Sequence, residues 1–492
     1  MPHQPTGSTL RPEVPQTASA QSTTSSSSEL EAVERIYHSQ RIAFTNSPAP
    51  DLPLRKRRLK ELKAALLSNQ QALVEAVSRD FQNRSHHETL MAEMFPILDE
   101  IKHAHSHVSR WARVRRVPVS IWFRPGTARI HPQPLGVVGI IVPWNYPLFL
   151  SLGPLIGALS AGNRVMVKMS ENSPETAKVL RQVLSSAFQE DEVAILSGQV
   201  DVARKFAALP FDHILFTGST EVGRHVMVAA AQNLTPVTLE LGGKSPALIH
   251  SEFPLQTAAK RITFGKCLNA GQTCIAPDYV LLPKGKEGEF EQAMKHHVGQ
   301  LYPELSTTRD YTHIITTKAF ERLRAILDDA VSKGARKVSL GEIGDDGGTR
   351  MAPTLLFDVT DDMRVMKEEI FGPILPVQTY TELDEAILTI NHRPRPLALY
   401  YFDENKRRIR KVLNSTHSGG VTINDTVLHV AQTNLPFGGI GPSGMGAYHG
   451  KAGFETFSKM KPVFYQAKWN ALGLLMPPYG KTMERLLNWL VR

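Results

Sequence analysis

The chain has 492 residues, of which 42% are hydrophobic and 21% charged, and this ordinary globular composition excludes fibrous, collagen-like and wholly disordered proteins. At roughly 150 residues per domain, the length predicts two to four structural units. The formal net charge is +9, but its basic runs, such as 55–58 and 406–411, carry no interleaved aromatic residues, so we expect no nucleic-acid binding.

The sequence contains two cysteines, Cys267 and Cys274, which are too few for a disulfide scaffold. No Cys/His cluster has the spacing of metal ligands, so we predict no bound metal. Two free thiols suit a reducing compartment. The chain shows neither a secretory signal pattern nor about 18 uninterrupted apolar residues, so we predict a cytoplasmic protein without a transmembrane segment.

The N-terminal third begins with a tail and continues into helices. Residues 1–29 are rich in Ser, Thr, Pro, Gln and Ala, a composition that predicts disorder. Apolar residues then recur at helical spacing in 30–44, in 59–66, in a second stretch around 73–77, and in 88–111. A basic stretch with alternating apolar residues follows at 113–133 and indicates extended structure.

A different pattern begins at residue 135. Short apolar runs alternate with helical segments, and they lie at 135–142, 164–168, 191–196 and 213–216. Such runs form a parallel sheet covered by helices on both faces, an architecture typical of nucleotide binding. The pattern restarts after Gly243 and predicts a second α/β domain to about residue 435.

The loop after the fourth run is a candidate phosphate-binding turn. Gly218 would allow a tight turn, Ser219 supplies a hydroxyl donor, and a helix beginning before Gly223 would direct its positive N-terminus at a diphosphate. The motif G-x-G-x-x-G is absent, and a simple helix-capping turn fits these residues equally well. Lys168 and Glu171 follow another run, where they would bind ribose hydroxyls or form a surface ion pair.

Three residues have side chains suited to acyl chemistry. Cys274 ends a polar, glycine-containing loop, so we expect an exposed nucleophile there, whereas Cys267 fits a buried helical face. Glu240 ends an apolar run, where burial would raise its pKa toward that of a general base, although a glutamate at a strand edge facing water fits too. Pro143 and Pro147 restrict the backbone around Asn145, whose amide would serve an oxyanion hole or satisfy its own turn.

Seven motifs occur in an order that resembles the aldehyde dehydrogenase superfamily. They are Pro143-Trp-Asn-Tyr-Pro147, Lys168-Met-Ser-Glu171, Phe216-Thr-Gly-Ser-Thr-Glu-Val-Gly223, Leu239-Glu-Leu-Gly-Gly-Lys-Ser-Pro246, Gly271-Gln-Thr-Cys274, Glu368-Glu-Ile-Phe-Gly-Pro373 and Pro436-Phe-Gly-Gly439. Within the superfamily, residues 269–279 and 421–425 look like the class 3 branch, and most of all like bacterial coniferyl aldehyde dehydrogenases.

The resemblance implies a role for each matched position. Cys274 would be the nucleophile, Glu240 the base, and Asn145 with the Cys274 backbone N–H the oxyanion donors. The implied cofactor is NAD, with NADP as an alternative. The residues implied to bind it are Trp144, Lys168, Glu171, Gly218, Ser219, Gly223, Glu369 and Phe371. The family commonly has Pro where this chain has Met169, which removes a rigid turn beside the adenosine ribose.

The implied fold is α/β, with a Rossmann-type parallel-sheet NAD(P)-binding domain, an α/β catalytic domain and a small β oligomerisation arm. The predicted boundaries are a tail at 1–29, the NAD(P)-binding domain at 30–112 and 134–242, the catalytic domain at 243–435, oligomerisation or bridging segments at 113–133 and 436–466, and a C-terminal extension at 467–492. The resemblance also implies a homodimer.

The expected reaction is oxidation of an aldehyde, aromatic and similar to coniferyl aldehyde, to its carboxylic acid. Tyr146, Phe149, Phe371 and Phe437 would line an aromatic-accepting channel, although packing in the core explains most of them equally well. The alternatives are a medium- or long-chain aliphatic substrate, a coenzyme-A-acylating relative, and a binding protein with little turnover.

The C-terminal extension contains an amphipathic pattern. One apolar face is formed by Met483, Leu486, Leu487, Leu490 and Val491, with basic residues on the other face. We favour packing of this face on the protein or across a dimer over weak contact with an anionic membrane surface.

Overall fold

The computed structural model describes residues 27–344, 348–470, 473 and 476–491, so most of the predicted tail, residues 1–26, lies outside the described residues. The helices are α1 (Ser27–Asn46), α2 (Leu52–Ser68), α3 (Gln70–Asp80), α4 (His86–Thr89), α5 (Phe95–Trp111), α6 (Phe149–Ala161), α7 (Pro174–Ser185), α8 (Val200–Ala207), α9 (Thr220–Ala231), α10 (Leu255–Cys267), α11 (Glu287–Leu301), α12 (Thr317–Ser332), α13 (Arg364–Lys367), α14 (Leu383–Asn391), α15 (Lys406–Ser415), α16 (Gly450–Thr456) and α17 (Lys481–Leu490).

The strands are β1 (Arg115–Val117), β2 (Thr127–Pro134), β3 (Val137–Ile141), β4 (Arg164–Lys168), β5 (Val193–Leu196), β6 (His213–Thr217), β7 (Val237–Glu240), β8 (Pro246–Ile249), β9 (Tyr279–Pro283), β10 (Arg336–Ser339), β11 (Thr354–Phe357), β12 (Ile374–Tyr380), β13 (Ala398–Phe402), β14 (Gly420–Ile423), β15 (Gly444–Met445) and β16 (Ser458–Tyr465).

A six-stranded sheet has the order β15-β7-β6-β3-β4-β5, in which β3 to β7 run parallel and β15 is antiparallel. Strands β3 and β6 in its centre and β5 at its edge are buried along their whole length, as their continuous apolar sequences predict for a sheet with both faces covered. The carboxyl ends of its parallel strands share one edge, and Lys168 and Glu240 are the last residues of β4 and β7.

A seven-stranded sheet has the order β10-β11-β12-β9-β8-β13-β14 and is parallel except for β10. The chain passes from the first sheet to this one between β7 and β8. The two parallel α/β sheets confirm the predicted fold class.

A third sheet contains the antiparallel strands β1, β2 and β16. The segment predicted to bridge, 436–466, contributes to two sheets: β15 pairs with β7, placing Gly444 opposite Glu240, and β16 pairs with β2. None of the described helices has the length and apolarity to cross a bilayer.

Helix boundaries differ from the sequence expectation in two places. Helix α1 begins at Ser27, within the predicted tail, because serine is accommodated in a first turn. The single helix predicted at 88–111 is interrupted by a π-helical turn at Leu90–Met94. Helix α17 forms, but of its apolar face Met483 is buried while Leu487 and Leu490 are exposed, so this face is mostly open in the single chain.

Candidate active site

The predicted catalytic residues come together where the two parallel sheets meet. Asn145 follows β3, Glu240 ends β7, and Cys274 lies in the loop between α10 and β9. Asn145 Nδ2 donates to the carbonyl oxygen of Gln272 at 3.2 Å, which joins the first sheet to the cysteine loop. Glu240 lies close enough for its charge to raise the pKa of the Cys274 thiol.

The loop before Cys274 is buried, so the expectation of an exposed polar loop is wrong. Asn269 and Ala270 adopt left-handed backbone conformations, with φ of 52° and 51°. The side chain of Gln272 donates to the carbonyls of Asn269 and His313 and accepts from the N–H of Ile315, each at 3.0 Å. Because the polar atoms of the Gln272 side chain are satisfied within the protein, the residue can be buried at the centre of the loop.

The Cys274 thiol is half-buried, and burial raises its pKa to about 12, with the charges of Glu369 and Glu240 adding to the effect. The backbone N–H groups of Cys274 and Ile275 hydrogen-bond the sulfur and partly oppose this rise. Burial also raises the pKa of Cys267 to about 12, but Cys267 ends α10 inside the core. Only a base or a nearby positive charge would make Cys274 a thiolate at neutral pH.

The Glu240 carboxyl group is 2% exposed, and neither of its oxygens has a hydrogen-bond partner among the described residues. Burial therefore raises the pKa of Glu240 well above its ordinary value. The strand-edge alternative, a glutamate facing water, is wrong for this residue. A buried carboxyl group without protein partners is available to a water molecule or a thiol proton.

Asn145 is held by residues that the sequence reading missed. Its carbonyl oxygen accepts hydrogen bonds from Arg84 Nη1 at 3.1 Å and Asn269 Nδ2 at 3.0 Å. Arg84 also pairs with the buried carboxylate of Glu93, which accepts the N–H of Leu148 at the start of α6. The sequence did contain a signal for these residues, because charged residues lie on the apolar face of segment 84–100. Charged side chains are rarely buried unless they are paired, so buried ion pairs were to be expected there.

The Lys168–Glu171 pair lies at the carboxyl end of β4. Lys168 Nζ is 3.4 Å from Glu171 Oε2, and burial lowers the pKa of Lys168. Met169 is buried, and its backbone N–H donates to the Leu196 carbonyl at 2.8 Å. Proline has no backbone N–H and could not make this hydrogen bond. Met169 therefore lacks the rigid turn that proline would give, but it adds a hydrogen bond between the end of β4 and the end of β5.

The loop 217–223 combines both alternatives that its sequence left open. Ser219 Oγ caps α9 by accepting the Val222 N–H at 3.3 Å, and the free N-terminus of this helix still presents positive potential. Gly218 does not have the positive φ of the predicted tight turn. It is required because the Phe216 ring lies where a Cβ would be, and Gly223 is likewise crowded by Leu241.

Glu369 and Phe371 lie across from this loop. The Glu369 carboxylate accepts the Gly243 N–H and occupies the space where a Cβ on Gly242 would lie. Phe371 has φ of 53°, and its ring packs edge-on against Trp144 at 5.4 Å between centroids. These residues and the capped helix end fit a dinucleotide lying along the strand ends. In the described part of the chain, no group of three or more His, Cys, Asp or Glu residues is placed to hold a metal ion.

A cavity of about 250 Å³ leads to Cys274. Its aromatic lining includes Phe95, Tyr146, Phe149, Phe264 and Phe437. The Tyr146 hydroxyl is hydrogen-bonded to Thr273 Oγ1 at 2.7 Å, which leaves an almost wholly apolar wall. Phe371, expected in this channel, lies against Trp144 instead, because its left-handed backbone turns the ring toward the cofactor side.

Comparison with known proteins agrees with this geometry. The profile of the aldehyde dehydrogenase family matches residues 4–463. The chain belongs to the aldehyde dehydrogenase family. A Pseudomonas aeruginosa protein described as "Probable coniferyl aldehyde dehydrogenase" is 54% identical over 462 residues, which cover 94% of this chain and 97% of the relative. The Staphylococcus aureus 4,4'-diaponeurosporen-aldehyde dehydrogenase is 38% identical, covering 91% and 96%.

Solved aldehyde dehydrogenases have the same fold. The substrate-bound Staphylococcus aureus AldH superposes with a TM-score of 0.88 at 36% identity, covering 94% of this chain and 99% of that one. A Mycobacterium tuberculosis aldehyde dehydrogenase complexed with NAD+ superposes with a TM-score of 0.80 at 26% identity, covering 89% and 90%. As an aldehyde dehydrogenase, this enzyme oxidises an aldehyde with a nicotinamide cofactor, NAD or NADP.

Proposed function

We propose that this aldehyde dehydrogenase oxidises aromatic aldehydes of the coniferyl aldehyde type to their carboxylic acids, with Cys274 as nucleophile. The observation that carries the proposal is the apolar, aromatic-walled cavity that ends at Cys274. Its volume of about 250 Å³ lies near the lower end for ligand pockets, which favours a flat, compact substrate. The P. aeruginosa relative and a 44% identical Pseudomonas enzyme carry the coniferyl aldehyde dehydrogenase name.

The acylation step begins when the Cys274 sulfur adds to the aldehyde carbon and gives a tetrahedral thiohemiacetal oxyanion. The Asn145 amide and the Cys274 backbone N–H stabilise that oxyanion, and the Arg84 and Asn269 hydrogen bonds keep Asn145 in place. A nicotinamide bound in this site would supply the hydride acceptor. As the oxyanion re-forms the carbonyl, the C–H bond of the former aldehyde carbon breaks, its hydrogen leaves as hydride, and a thioester remains on Cys274.

Deacylation requires a water molecule and a base. Glu240 takes a proton from water as the oxygen attacks the thioester carbon, and the thiolate leaves as the carboxylic acid forms. A coenzyme-A-acylating enzyme would use a thiol in place of this water, so a buried, unpaired base beside Cys274 favours hydrolysis. The intact set of Cys274, Glu240 and Asn145 likewise disfavours a binding protein with little turnover.

We assign the cofactor to the edge where β3, β4, β6 and β7 end, with Trp144 and Ser219 at the diphosphate and Glu369 and Phe371 at the nicotinamide end. Lys168 and Glu171 bind the adenosine ribose, and NAD is preferred. Beside Glu171, the charges of Asp201 and Glu29 also reach Lys168, so the ribose site is surrounded by carboxylates that would repel a 2′-phosphate.

We further propose that the six-stranded sheet forms the cofactor domain and the seven-stranded sheet the catalytic domain, in a cytoplasmic homodimer. The dimer contact would use the three-stranded sheet and the C-terminal extension. Exposed aromatic residues cluster in these segments and include Trp122, Phe123, Phe464, Trp469 and Trp489. Such residues on a single chain favour a partner surface.

A second substrate class is a medium- or long-chain aliphatic aldehyde. A neighbouring cavity of about 630 Å³ shares the lining residues Met91, Phe264 and Leu268 with the cavity at Cys274. A long chain could pass between these side chains into the second space, whereas a compact ring would fill the first alone.

The test is a panel of coniferyl and benzaldehyde-type, short aliphatic and long aliphatic aldehydes, each measured with NAD and NADP. We expect the highest kcat/KM for the aromatic aldehydes with NAD. A matched variant, Phe264→Ala, should widen the passage and shift selectivity toward long chains. A wild type that prefers long aliphatic aldehydes by tenfold or more would overturn the aromatic assignment.

A further inference from the structure

We propose that Tyr448 and Glu100 form the route by which protons leave the buried reaction site. The inference rests on the hydrolytic reaction proposed above. Aldehyde, water and NAD+ become carboxylate, NADH and two protons, so each turnover must export two protons from a site walled by apolar groups. Glu240 receives a proton and must lose it before the next cycle.

Tyr448 is the first residue of the route. It lies between β15 and α16, where its backbone exchanges two hydrogen bonds with Phe437 at 2.9 Å. Its side chain is 1% exposed, and its hydroxyl has no hydrogen-bond partner among the residues that the structure describes. A buried hydroxyl without a partner is costly, and most such groups are satisfied by water or ligand.

The Tyr448 ring packs edge-on against Phe437 at 6.1 Å between centroids, and Phe437 lines the cavity that contains Cys274. Burial raises the pKa of the Tyr448 phenol, and the nearby charges of Glu240, Glu100 and Cys274 raise it further. The phenol therefore stays protonated, which lets it accept a proton and donate another one. Because Glu240 also has no protein partner within the described chain, bridging water can link the two groups.

Glu100 lies near Tyr448, on the buried face of α5. A Cβ on Gly153 of α6 would lie 3.5 Å from both Glu100 Oε2 and the Tyr448 ring, so the two side chains are neighbours across that glycine. Glu100 Oε1 accepts the Gly450 N–H at 3.3 Å. Burial raises the pKa of Glu100 to about 8, so it can exchange protons near neutral pH.

The route reaches the surface at His103, one helical turn beyond Glu100. His103 Nε2 lies 3.6 Å from the Cβ position of Gly450, whose N–H binds Glu100. The His103 ring is half-buried and stacks on the ring of His107, which is also half-buried, at 4.1 Å between centroids. The charge of the neighbouring Asp99 also raises the pKa of Glu100. The residues that α6 and α16 place next to Glu100 are Gly153 and Gly450, which carry no titratable group.

The experiment compares Tyr448→Phe and Glu100→Gln with the wild type and with Tyr380→Phe. Tyr380 is the matched control, a buried tyrosine whose hydroxyl donates to Ile249 far along the second sheet. Each variant is assayed for kcat, for the single-turnover NADH burst, for the solvent deuterium isotope effect, and for rescue by added imidazole as a small proton carrier.

We expect both route variants to lose about tenfold in kcat while keeping the burst, and imidazole to restore most of the loss. The isotope effect on kcat should increase, and the control should match the wild type. Wild-type kcat in both variants would overturn the route, as would a loss that imidazole does not restore. If the enzyme prefers another aldehyde, the assay uses that aldehyde, because two protons must leave the site whichever aldehyde is hydrolysed to its acid. If the thioester is not hydrolysed at all, the proposed function itself is refuted.

Discussion

Replacing Glu240 with glutamine tests the division of labour between acylation and deacylation. Glutamine has nearly the same shape, and neither Glu240 oxygen is hydrogen-bonded within the described residues, so the substitution breaks no contact. The Glu240 carbonyl, which accepts the Gly218 N–H at 3.0 Å, is unchanged. We therefore expect a folded enzyme that binds its cofactor.

The magnitude follows from the chemistry that the amide cannot perform. A positioned general base contributes about 10²–10⁴ to a rate, so hydrolysis of the Cys274 thioester should slow by that factor. Acylation should slow less. With a thiol pKa of about 12, Cys274 is rarely ionised alone. The positive ring of a nicotinamide bound at the proposed site would lower that pKa.

The pH dependence supplies a second readout. Burial raises the pKa of Glu240, and only its ionised form is a base. The wild-type kcat should therefore rise with pH through that raised pKa, and this limb should disappear in Glu240→Gln.

The assay is rapid mixing with saturating aldehyde and NAD, followed by steady-state measurement. We expect a near-stoichiometric NADH burst, a steady rate reduced by 10²–10⁴, and a thioester on Cys274 detected by mass spectrometry after acid quench. A burst that is lost in proportion to the steady rate would show that Glu240 acts mainly by making the thiolate.

Three further changes probe the rest of the site. Asn145→Ala should lower kcat by about 10²–10³ with a smaller change in KM, because one oxyanion donor is lost; an unchanged kcat would remove Asn145 from the oxyanion site. Glu171→Gln should raise kcat/KM with NADP relative to NAD, whereas a wild type that strongly prefers NADP would contradict the ribose assignment. Truncation after Pro478 removes the buried Met483 contact and should lower the melting temperature or alter aldehyde selectivity; liposome binding by the full chain alone would favour the membrane alternative.

The sequence predicted the parallel sheets well because their strands are almost continuously apolar. The predicted run 164–168 matches β4, since polar and glycine residues lie close to both of its ends. The motifs at Asn145, Lys168 and Glu240 lie at strand ends, so their convergence followed from topology once the strands were known.

Tertiary contacts decided what the sequence could not predict. The polar loop before Cys274 looked exposed, but Gln272 finds partners as distant as His313 and Ile315, which no local pattern reveals. Phe371 was expected in the substrate channel, yet its φ of 53° directs it to Trp144. Backbone conformation of this kind depends on packing around the residue rather than on its neighbours in sequence.

The central claim, that Cys274 forms the covalent bond to the substrate, is tested most directly by NADH formation in Cys274→Ala beside Cys267→Ala. Both side chains are replaced by the same methyl group, so loss of thiol chemistry is separated from a general effect on the core. We expect Cys274→Ala to give neither burst nor turnover while NAD binding and melting temperature stay near wild type, and Cys267→Ala to keep most activity. Comparable turnover in Cys274→Ala would contradict the mechanism.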